Sequence, residues 1–196
     1  MYKIQDSLLE TKLKKTKSDN LFLLVIAFLL SLMLAIMLLS NYVFLNVQVL
    51  GPSMEPTLQS EDVLIANRIK TPKRYSIIII KGEKEDWLIK RVIGVGGDTV
   101  KIEGGYVYVN GELIDEPYLK KQGITYYPHV TDKNSVQKKE WQIKEGEIFY
   151  LGDNRTNSSD SRYEYFGTCT ENQVVGVVEN WSIGARKFLK VITGNV

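Results

Sequence analysis

One serine of this chain lies on a short loop that two prolines stiffen. The loop has the sequence Gly51-Pro52-Ser53-Met54-Glu55-Pro56-Thr57-Leu58. Because each proline fixes its own φ and restricts the residue before it, the loop can hold the Ser53 hydroxyl in one direction. A serine hydroxyl becomes a nucleophile only when a base lies within hydrogen-bond reach. Nucleophilic chemistry at Ser53 therefore requires a base from elsewhere in the chain.

The chain offers two candidate bases, the single histidine, His129, and Lys90. His129 lies in a polar, aperiodic stretch from Lys120 to Glu140, where a base would be poorly held, and this disfavours a Ser-His-Asp triad. Lys90 lies in the run Trp87-Leu88-Ile89-Lys90-Arg91-Val92-Ile93, and both faces of such a strand would be apolar. Burial there would lower the pKa of Lys90 and let it accept a proton. From composition alone, the favoured interpretation is a lysine at a sheet edge that extends its amine into solvent.

A third segment, Gly152 to Arg162, has the sequence GDNRTNSSDSR and follows an apolar strand. Turn formers, hydroxyls and charges at this density are typical of a solvated loop. The same hydroxyls, with the pair Asp160 and Arg162, would also suit a scaffold that orients a lysine amine. The residues alone leave both interpretations open.

An apolar segment long enough to span a membrane precedes the Ser53 loop. Residues 21–39 carry no charge and one polar residue, Ser31, and as a helix they would extend about 28 Å. A buried globular helix would keep a polar face, and a cleaved signal peptide would be shorter and end in a small-x-small site, which residues 40–45 lack. The segment is therefore predicted to be a retained anchor. The lysines just before it predict a cytoplasmic N-terminus: Lys12, Lys14, Lys15 and Lys17.

These features predict a cytoplasmic tail at 1–20, a transmembrane helix at 21–43 and an extracytoplasmic domain at 44–196. The first twenty residues carry five lysines against three acids, which equals the net charge of +2 of the whole chain. The outer domain is therefore nearly neutral, and a nucleic-acid-binding surface is not predicted. The single cysteine, Cys169, excludes an internal disulfide, so stability must come from the packing of one hydrophobic core.

The outer domain is predicted to be mostly antiparallel β-sheet, because short apolar runs alternate with Gly, Pro, Asn and Asp. The predicted strands are 44–49, 63–67, 76–81, 87–94, 99–103, 106–109, 147–152 and 174–180. Asn110-Gly111 between two apolar runs predicts a type I′ hairpin. The stretch from Lys120 to Glu140 is predicted to be an excursion from the sheet.

The three segments together resemble bacterial type I signal peptidases, which are membrane-anchored serine proteases that remove signal peptides from exported proteins. The resemblance covers nearly the whole chain, with the family's motifs in order behind one anchor: Ser53-Met54-x-Pro56-Thr57-Leu58, Lys90-Arg91-Val92-x-Gly94-x-x-Gly97-Asp98 and residues 152–162. The short tail and the small insert around His129 are similar to the Gram-positive branch. The resemblance implies a barrel-like β catalytic domain of the signal peptidase type, no metal or organic cofactor, and signal peptides and the lipid bilayer as partners.

The resemblance also implies roles for single residues. Ser53 would be the nucleophile and Lys90 the general base, while Ser158 would hydrogen-bond and orient the lysine amine. The backbone N–H of Ser53 would bind the oxyanion. Some relatives add a side-chain hydroxyl two residues before the nucleophile, where this chain has Gly51. The sequence therefore does not identify the second hydrogen-bond donor of the oxyanion hole.

The residues around this dyad receive supporting roles from the same resemblance. Asp160 and Arg162, with Arg91, would form an ion-pair network beneath the site. Substrates would carry small side chains at the first and third positions before the cut. The pockets for these side chains would be lined by Val47, Val49, Met54, Leu58, Leu88 and Ile89.

Other interpretations have weaker support from the sequence. A sortase-like transpeptidase would use Cys169, His129 and Arg186, but the residues before Cys169 lack the Thr-Leu-x-Thr motif of that class, and a small buried cysteine is the simpler explanation. A signal peptidase-like protein dedicated to a pilus or secretion cluster is a second alternative, and a non-catalytic relative in pilus assembly would typically have lost the Ser or the Lys. Cytosolic self-cleaving repressors share a Ser-Lys dyad, but the predicted anchor argues against them.

Overall fold

The computed structural model describes residues 2–82, 86–122, 125 and 140–185, and their side chains except those of residues 2–19 and 120–122. The chain divides into two compact units, Met1–Val43 and Phe44–Val196.

The first unit is a single helix, α1 (Tyr2–Val43). Its segment Asn20–Val43 has a mean hydropathy of 3.1, and none of its most apolar window is buried inside the protein. A helix of 24 residues is about 36 Å long, which exceeds the hydrocarbon thickness of about 30 Å. An apolar surface on every side of a helix requires an apolar surrounding. The segment therefore has the length and composition of a membrane span, in agreement with the predicted anchor.

The second unit is mostly β-structure. Its strands are β1 (Phe44–Gln48), β2 (Val63–Asn67), β3 (Ile77–Lys81), β4 (Trp87–Val95), β5 (Thr99–Glu103), β6 (Tyr106–Val109), β7 (Glu112–Leu113), β8 (Glu140–Gln142), β9 (Glu147–Leu151), β10 (Cys169–Thr170) and β11 (Val174–Val178). Short 3₁₀ helices lie at Pro117–Gln122 and Glu171–Gln173. Residues 180–185 are helical.

The strands form two sheets, one in the order β1-β2-β11-β3-β4-β9-β10 and one in the order β7-β6-β5-β8. All their pairings are antiparallel. Strand β4 lies between β3 and β9, with Lys90 opposite Ile78 and Arg91 opposite Leu151. Because β4 is hydrogen-bonded along both edges, the direction of its side chains is strongly fixed.

Both faces of the seven-stranded sheet are buried. In β3, Ile77 and Ile79 pack into one apolar cluster, while Ile78 and Ile80 pack into another. A third cluster joins this sheet to the four-stranded sheet and includes Ile93, Val100, Ile102, Val107, Trp141, Phe149 and Leu151. The two charged residues of β4, Lys90 and Arg91, are therefore removed from bulk water although they point to different faces.

The predicted strands agree with the observed strands to within two residues at each end. The predicted hairpin is also confirmed, because Asn110 and Gly111 both have positive φ, at 56° and 83°, and Val109 pairs with Glu112. Strands β8 and β10 were not predicted. Their three and two residues are too short to show a period of two. The predicted excursion lies largely outside the described residues.

Candidate active site

Ser53 and Lys90 lie side by side in the structure, although 37 positions separate them in the chain. The Lys90 Nζ donates a hydrogen bond to Ser53 Oγ at 2.9 Å and another to the Ile89 carbonyl at 3.0 Å. Lys90 is only 3% exposed. The structure thus brings together the serine and the lysine that the sequence pairs as nucleophile and base.

The buried position of Lys90 changes its acidity. Burial lowers the pKa of the amine from 10.5 to about 8, because an ammonium group loses hydration that the protein does not replace. The charges of Asp160 and Asp153 act in the opposite direction but do not cancel this effect. A pKa near 8 leaves a minor fraction of the Lys90 amine neutral near neutral pH, and only that neutral form can accept a proton.

The segment from Gly152 to Arg162 holds the Ser53 loop from one side. The backbone N–H of Asn154 donates to the Ser53 carbonyl at 3.0 Å, and its side-chain amide donates to the Pro52 carbonyl at 3.1 Å. A Cβ atom on Gly152 would lie 2.5 Å from the Ser53 carbonyl oxygen. Only glycine at this position allows the two loops to approach so closely.

A cleft of about 660 Å³ opens at Ser53 and Lys90. Five of the six residues predicted to line the substrate pocket do line this cleft: Val47, Val49, Met54, Leu88 and Ile89. Leu58 does not line the cleft. Leu58 is fully buried and packs in the apolar core beneath the cleft, because its side chain points inward from the turn that ends the Ser53 loop.

A family comparison accounts for this arrangement. The model of the family described as signal peptidase, peptidase S26, matches residues 22–182, which include the Ser53 loop, β4 and the segment from Gly152 to Arg162. The chain belongs to this family. The resemblance stated from the motifs is confirmed, and the N-terminal apolar helix of this chain fits membrane anchoring.

Three relatives illustrate the similarity. Signal peptidase I V of Bacillus subtilis (strain 168) is 38% identical over 162 residues, covering 79% of this chain and 95% of that protein. Signal peptidase I of Bacillus caldolyticus is 39% identical over 152 residues, covering 70% and 79%. Signal peptidase IB of Staphylococcus aureus (strain Mu50 / ATCC 700699) is 40% identical over 139 residues, covering 65% and 72%.

The oxyanion donor expected in this signal peptidase is available. Among the described residues, none accepts a hydrogen bond from the Ser53 N–H. Gly51 has a φ of +85°, and a Cβ atom there would meet nothing within 4 Å. Its N–H donates to Ser60 Oγ at 3.3 Å. The position thus has space for a hydroxyl side chain but a backbone conformation that favours glycine.

The hydrogen bond predicted between Ser158 and the Lys90 amine is not formed. The Ser158 hydroxyl is buried and makes no hydrogen bond to any of the described residues. It packs against Gly152, where a Cβ atom would lie 2.1 Å from Ser158 Oγ. The Lys90 amine is directed by Ser53 and the Ile89 carbonyl instead.

The predicted ion-pair network of Asp160, Arg162 and Arg91 divides into two separate pairs. Arg162 binds Asp160 through two hydrogen bonds of 2.7 and 2.9 Å, and Asp160 also accepts from the Gly152 N–H at 3.0 Å. Arg91 binds Asp153 instead, at 2.8 and 2.6 Å. The difference follows from the strand, because Arg91 points to the opposite face of β4 from Lys90.

Sequence reasoning assigned no role to Asp153, Asn154, Arg155 or Glu116, yet all four surround the Ser53 loop or support it. Asp153 accepts a hydrogen bond from Thr57 Oγ1 at 2.5 Å. Arg155 is fully buried and pairs with Glu116 and the Thr125 hydroxyl. Four charged residues in the segment from Gly152 to Arg162 were a usable signal, because a charge that becomes buried needs a partner.

The sortase-like alternative loses its nucleophile. Burial raises the pKa of the Cys169 thiol to about 12, so the thiol stays protonated and unreactive. The other two residues of that alternative, His129 and Arg186, lie outside the described residues. Cys169 packs as a small apolar residue beside Ile148 and Tyr150.

Proposed function

We propose that Ser53 and Lys90 form the catalytic dyad with which this membrane-anchored endopeptidase removes signal peptides from exported preproteins. The observation that carries the proposal is the 2.9 Å contact between Ser53 Oγ and an amine whose pKa burial lowers to about 8. Family membership supports the activity, and the contact supports the assignment of roles.

The reaction follows from this contact. Neutral Lys90 accepts the proton of Ser53 as Oγ attacks the scissile carbonyl carbon, which gives a tetrahedral oxyanion. The backbone N–H of Ser53 stabilises that charge. The protonated amine then gives its proton to the leaving nitrogen, the peptide bond breaks, and an acyl-enzyme remains on Ser53. Lys90 next activates a water molecule that hydrolyses the ester and restores the hydroxyl. This sequence requires no metal ion or organic cofactor.

The cleft supports a preference for small substrate side chains. Val47, Val49, Met54, Leu88 and Ile89 give it an apolar lining next to the dyad. Alanine or another small residue before the cut would bury its side chain there without displacing β4. The small-x-small sites of signal peptides fit this requirement.

The proposed topology places residues 1–20 in the cytoplasm, residues 21–43 in the lipid bilayer and the protease domain, residues 44–196, outside. Four lysines before the span support this orientation. Confinement to one membrane raises the effective concentration of substrate. The nearly neutral outer domain does not favour nucleic acid as a partner. External protease applied to intact cells should leave the N-terminal tail uncut, and its digestion would contradict the orientation.

The dyad is tested by cleavage of a purified preprotein by the full-length enzyme in detergent. Ser53→Ala and Lys90→Ala should each lower kcat by at least about 10³-fold, because neither half of the dyad works without the other. Cys169→Ala is the matched control and should cleave as the wild type does. Retained cleavage by Lys90→Ala would exclude the proposed base.

A further inference from the structure

The peptide bond between Pro52 and Ser53 carries the proposed oxyanion donor. In a planar trans peptide the C=O and the N–H point in opposite directions, so the group that binds the Pro52 carbonyl also fixes the direction of the Ser53 N–H. The Pro52 carbonyl accepts two hydrogen bonds, from the Asn154 side-chain amide at 3.1 Å and from the Glu55 N–H at 3.1 Å. Asn154 supplies the bond that comes from outside the Ser53 loop.

Asn154 holds the neighbouring peptide as well. Its backbone N–H donates to the Ser53 carbonyl at 3.0 Å, so one residue binds the carbonyl on each side of Ser53. The orientation of its amide is set, because its Oδ1 accepts a hydrogen bond from Thr156 Oγ1 at 3.0 Å, which leaves the NH₂ group for Pro52. Asn154 is 8% exposed, so water competes little for these bonds.

We propose that Asn154 is the positioning residue of the oxyanion hole. Its side-chain amide holds the Pro52–Ser53 peptide so that the Ser53 N–H points away from the Gly152 to Arg162 segment and toward the developing oxyanion. A hydrogen bond to the carbonyl also polarises the N–H of the same peptide and makes it a stronger donor. The inference rests on the proposed function of Ser53 and assigns a further residue to the same reaction. The positioning of the Ser53 N–H by Asn154 compensates in part for the side-chain hydroxyl that Gly51 cannot supply.

Asn154 acts separately from the base. Its side chain donates to Pro52 and accepts from Thr156, and neither bond involves Ser53 Oγ or the Lys90 amine. Loss of the amide should therefore change the stabilisation of the transition state and leave the titration of Lys90 unchanged. This separation gives the test a readout that loss of the dyad, or a general loss of packing, would not reproduce.

The first measurement is the cleavage kinetics of full-length Asn154→Asp. The substitution keeps the shape of the side chain, but a carboxylate cannot donate to the Pro52 carbonyl and repels it. Removal of an oxyanion donor costs about 10²–10³-fold in kcat, and a misdirected donor should cost about 10–100-fold. KM should stay within about twofold, because Asn154 does not line the cleft. The pH profile is measured in Asn154→Ala, which adds no charge near Lys90, and its ascending limb should not move.

The second measurement uses a peptide aldehyde with a small-x-small sequence and the peptide alcohol of the same sequence. With the aldehyde, Ser53 Oγ bonds to the carbonyl carbon, the π electron pair becomes an oxyanion in the hole, and the serine proton passes to Lys90. The alcohol binds the same cleft and forms no adduct. Asn154→Asp should weaken aldehyde binding by about the same factor as kcat, about 10–100-fold, and leave alcohol binding unchanged.

Two further variants complete the test. Asn154→Ala removes the amide without adding a charge and should show the same split between aldehyde and alcohol, which covers the case in which the carboxylate prevents folding. Asn67→Ala is the matched control. Its amide donates to Glu179 and accepts from the Ile69 N–H, it does not line the cleft, and it should keep wild-type kcat. Thermal melting of each variant verifies that it is folded.

Wild-type kcat in both folded Asn154 variants, or an equal loss of aldehyde and alcohol binding, would overturn the inference. Continued cleavage by Ser53→Ala in the same assay would instead overturn the proposed function itself. The two failures are therefore distinguishable.

Discussion

Lys90 and Arg91 are neighbours on strand β4, but their side chains have different hydrogen-bond partners. Both are buried, with exposures of 3% and 7%. Arg91 binds both oxygens of Asp153, donates to the Tyr75 carbonyl at 2.9 Å and stacks on the ring of Tyr118 at 3.9 Å. Among the described residues, no carboxylate is in hydrogen-bond contact with Lys90, and its two acceptors are uncharged.

This difference separates a charge that stabilises the fold from the amine that we propose as the catalytic base. A guanidinium keeps its proton at every physiological pH, so its burial is tolerable only beside an acid. An amine can lose its proton, and without an acid partner burial lowers its pKa into the working range. The alternation of the strand sends one side chain to Asp153 and the other to Ser53. Two adjacent basic residues thereby serve stability and chemistry.

Lys90→Arg should have the largest effect, because it makes the two neighbours alike. A guanidinium is always protonated and cannot accept the Ser53 proton. We expect kcat to fall by about 10⁴-fold or more at every pH. The measurement is the rate of preprotein cleavage between about pH 6 and about pH 10. Recovery of activity at the alkaline end would show that charge at position 90 is compatible with the reaction.

Arg91→Met should have the next largest effect, on stability. It leaves the fully buried Asp153 without its cation, which costs about 3–5 kcal/mol of unfolding free energy. Chemical denaturation in detergent, followed by tryptophan fluorescence, measures this loss. The double variant Arg91→Met/Asp153→Leu is the control and should recover most of it, because no charge then remains unpaired. A double variant as unstable as the single would refute the role of the pair.

Lys90→Met should stabilise the protein while inactivating it. The lowering of the Lys90 pKa from 10.5 to about 8 corresponds to a cost of about 3 kcal/mol for the buried charge. Because the folded pKa lies below the unfolded one, the unfolded state binds more protons between these values, and wild-type stability rises with pH there. The advantage of the variant should therefore be full below pH 8 and disappear as the pH approaches 10.5. A difference in stability that does not vary with pH would contradict this account.

The smallest effect is the pH dependence of the wild type. Below a pKa of about 8, kcat/KM should rise about tenfold per pH unit and then level off, because only neutral Lys90 accepts the proton. His129→Ala should show the same profile. If kcat/KM instead follows a group with a pKa of about 6.5, and this dependence disappears in His129→Ala, the base is the histidine.

Much of the fold was predictable because its signals are local. The anchor follows from an uninterrupted apolar run, and the long strands follow from short β-branched runs bounded by turn residues. The proximity of Ser53 and Lys90 was predictable from motifs in a fixed order around them. Strands β8 and β10 were missed because they form through pairing with β5 and β9, which a local pattern of two or three residues does not encode.

The surroundings of the dyad were less predictable because they depend on side-chain packing. The partner of Arg91 lies 62 positions away, and the sequence offers Asp160 as well as Asp153. Leu58 was assigned to the pocket, yet it is buried in the core. Ser158 was assigned to the lysine amine, yet it packs on Gly152. Each of these outcomes is set by how closely two loops approach, which residue types alone do not determine.

The pairing of β4 with β3 and β9 has a practical consequence for preparations of this enzyme. Slippage of β4 by a single residue would place Arg91 where Lys90 belongs and move Lys90 to the position of Ile89 on the opposite face, because side chains alternate between faces. Such a molecule would keep its mass, its β-content by circular dichroism and much of its apolar burial, and would be wholly inactive. The concentration of active refolded enzyme should therefore be determined by titration of the reactive serine. Circular dichroism of the sheet would not distinguish active from inactive molecules.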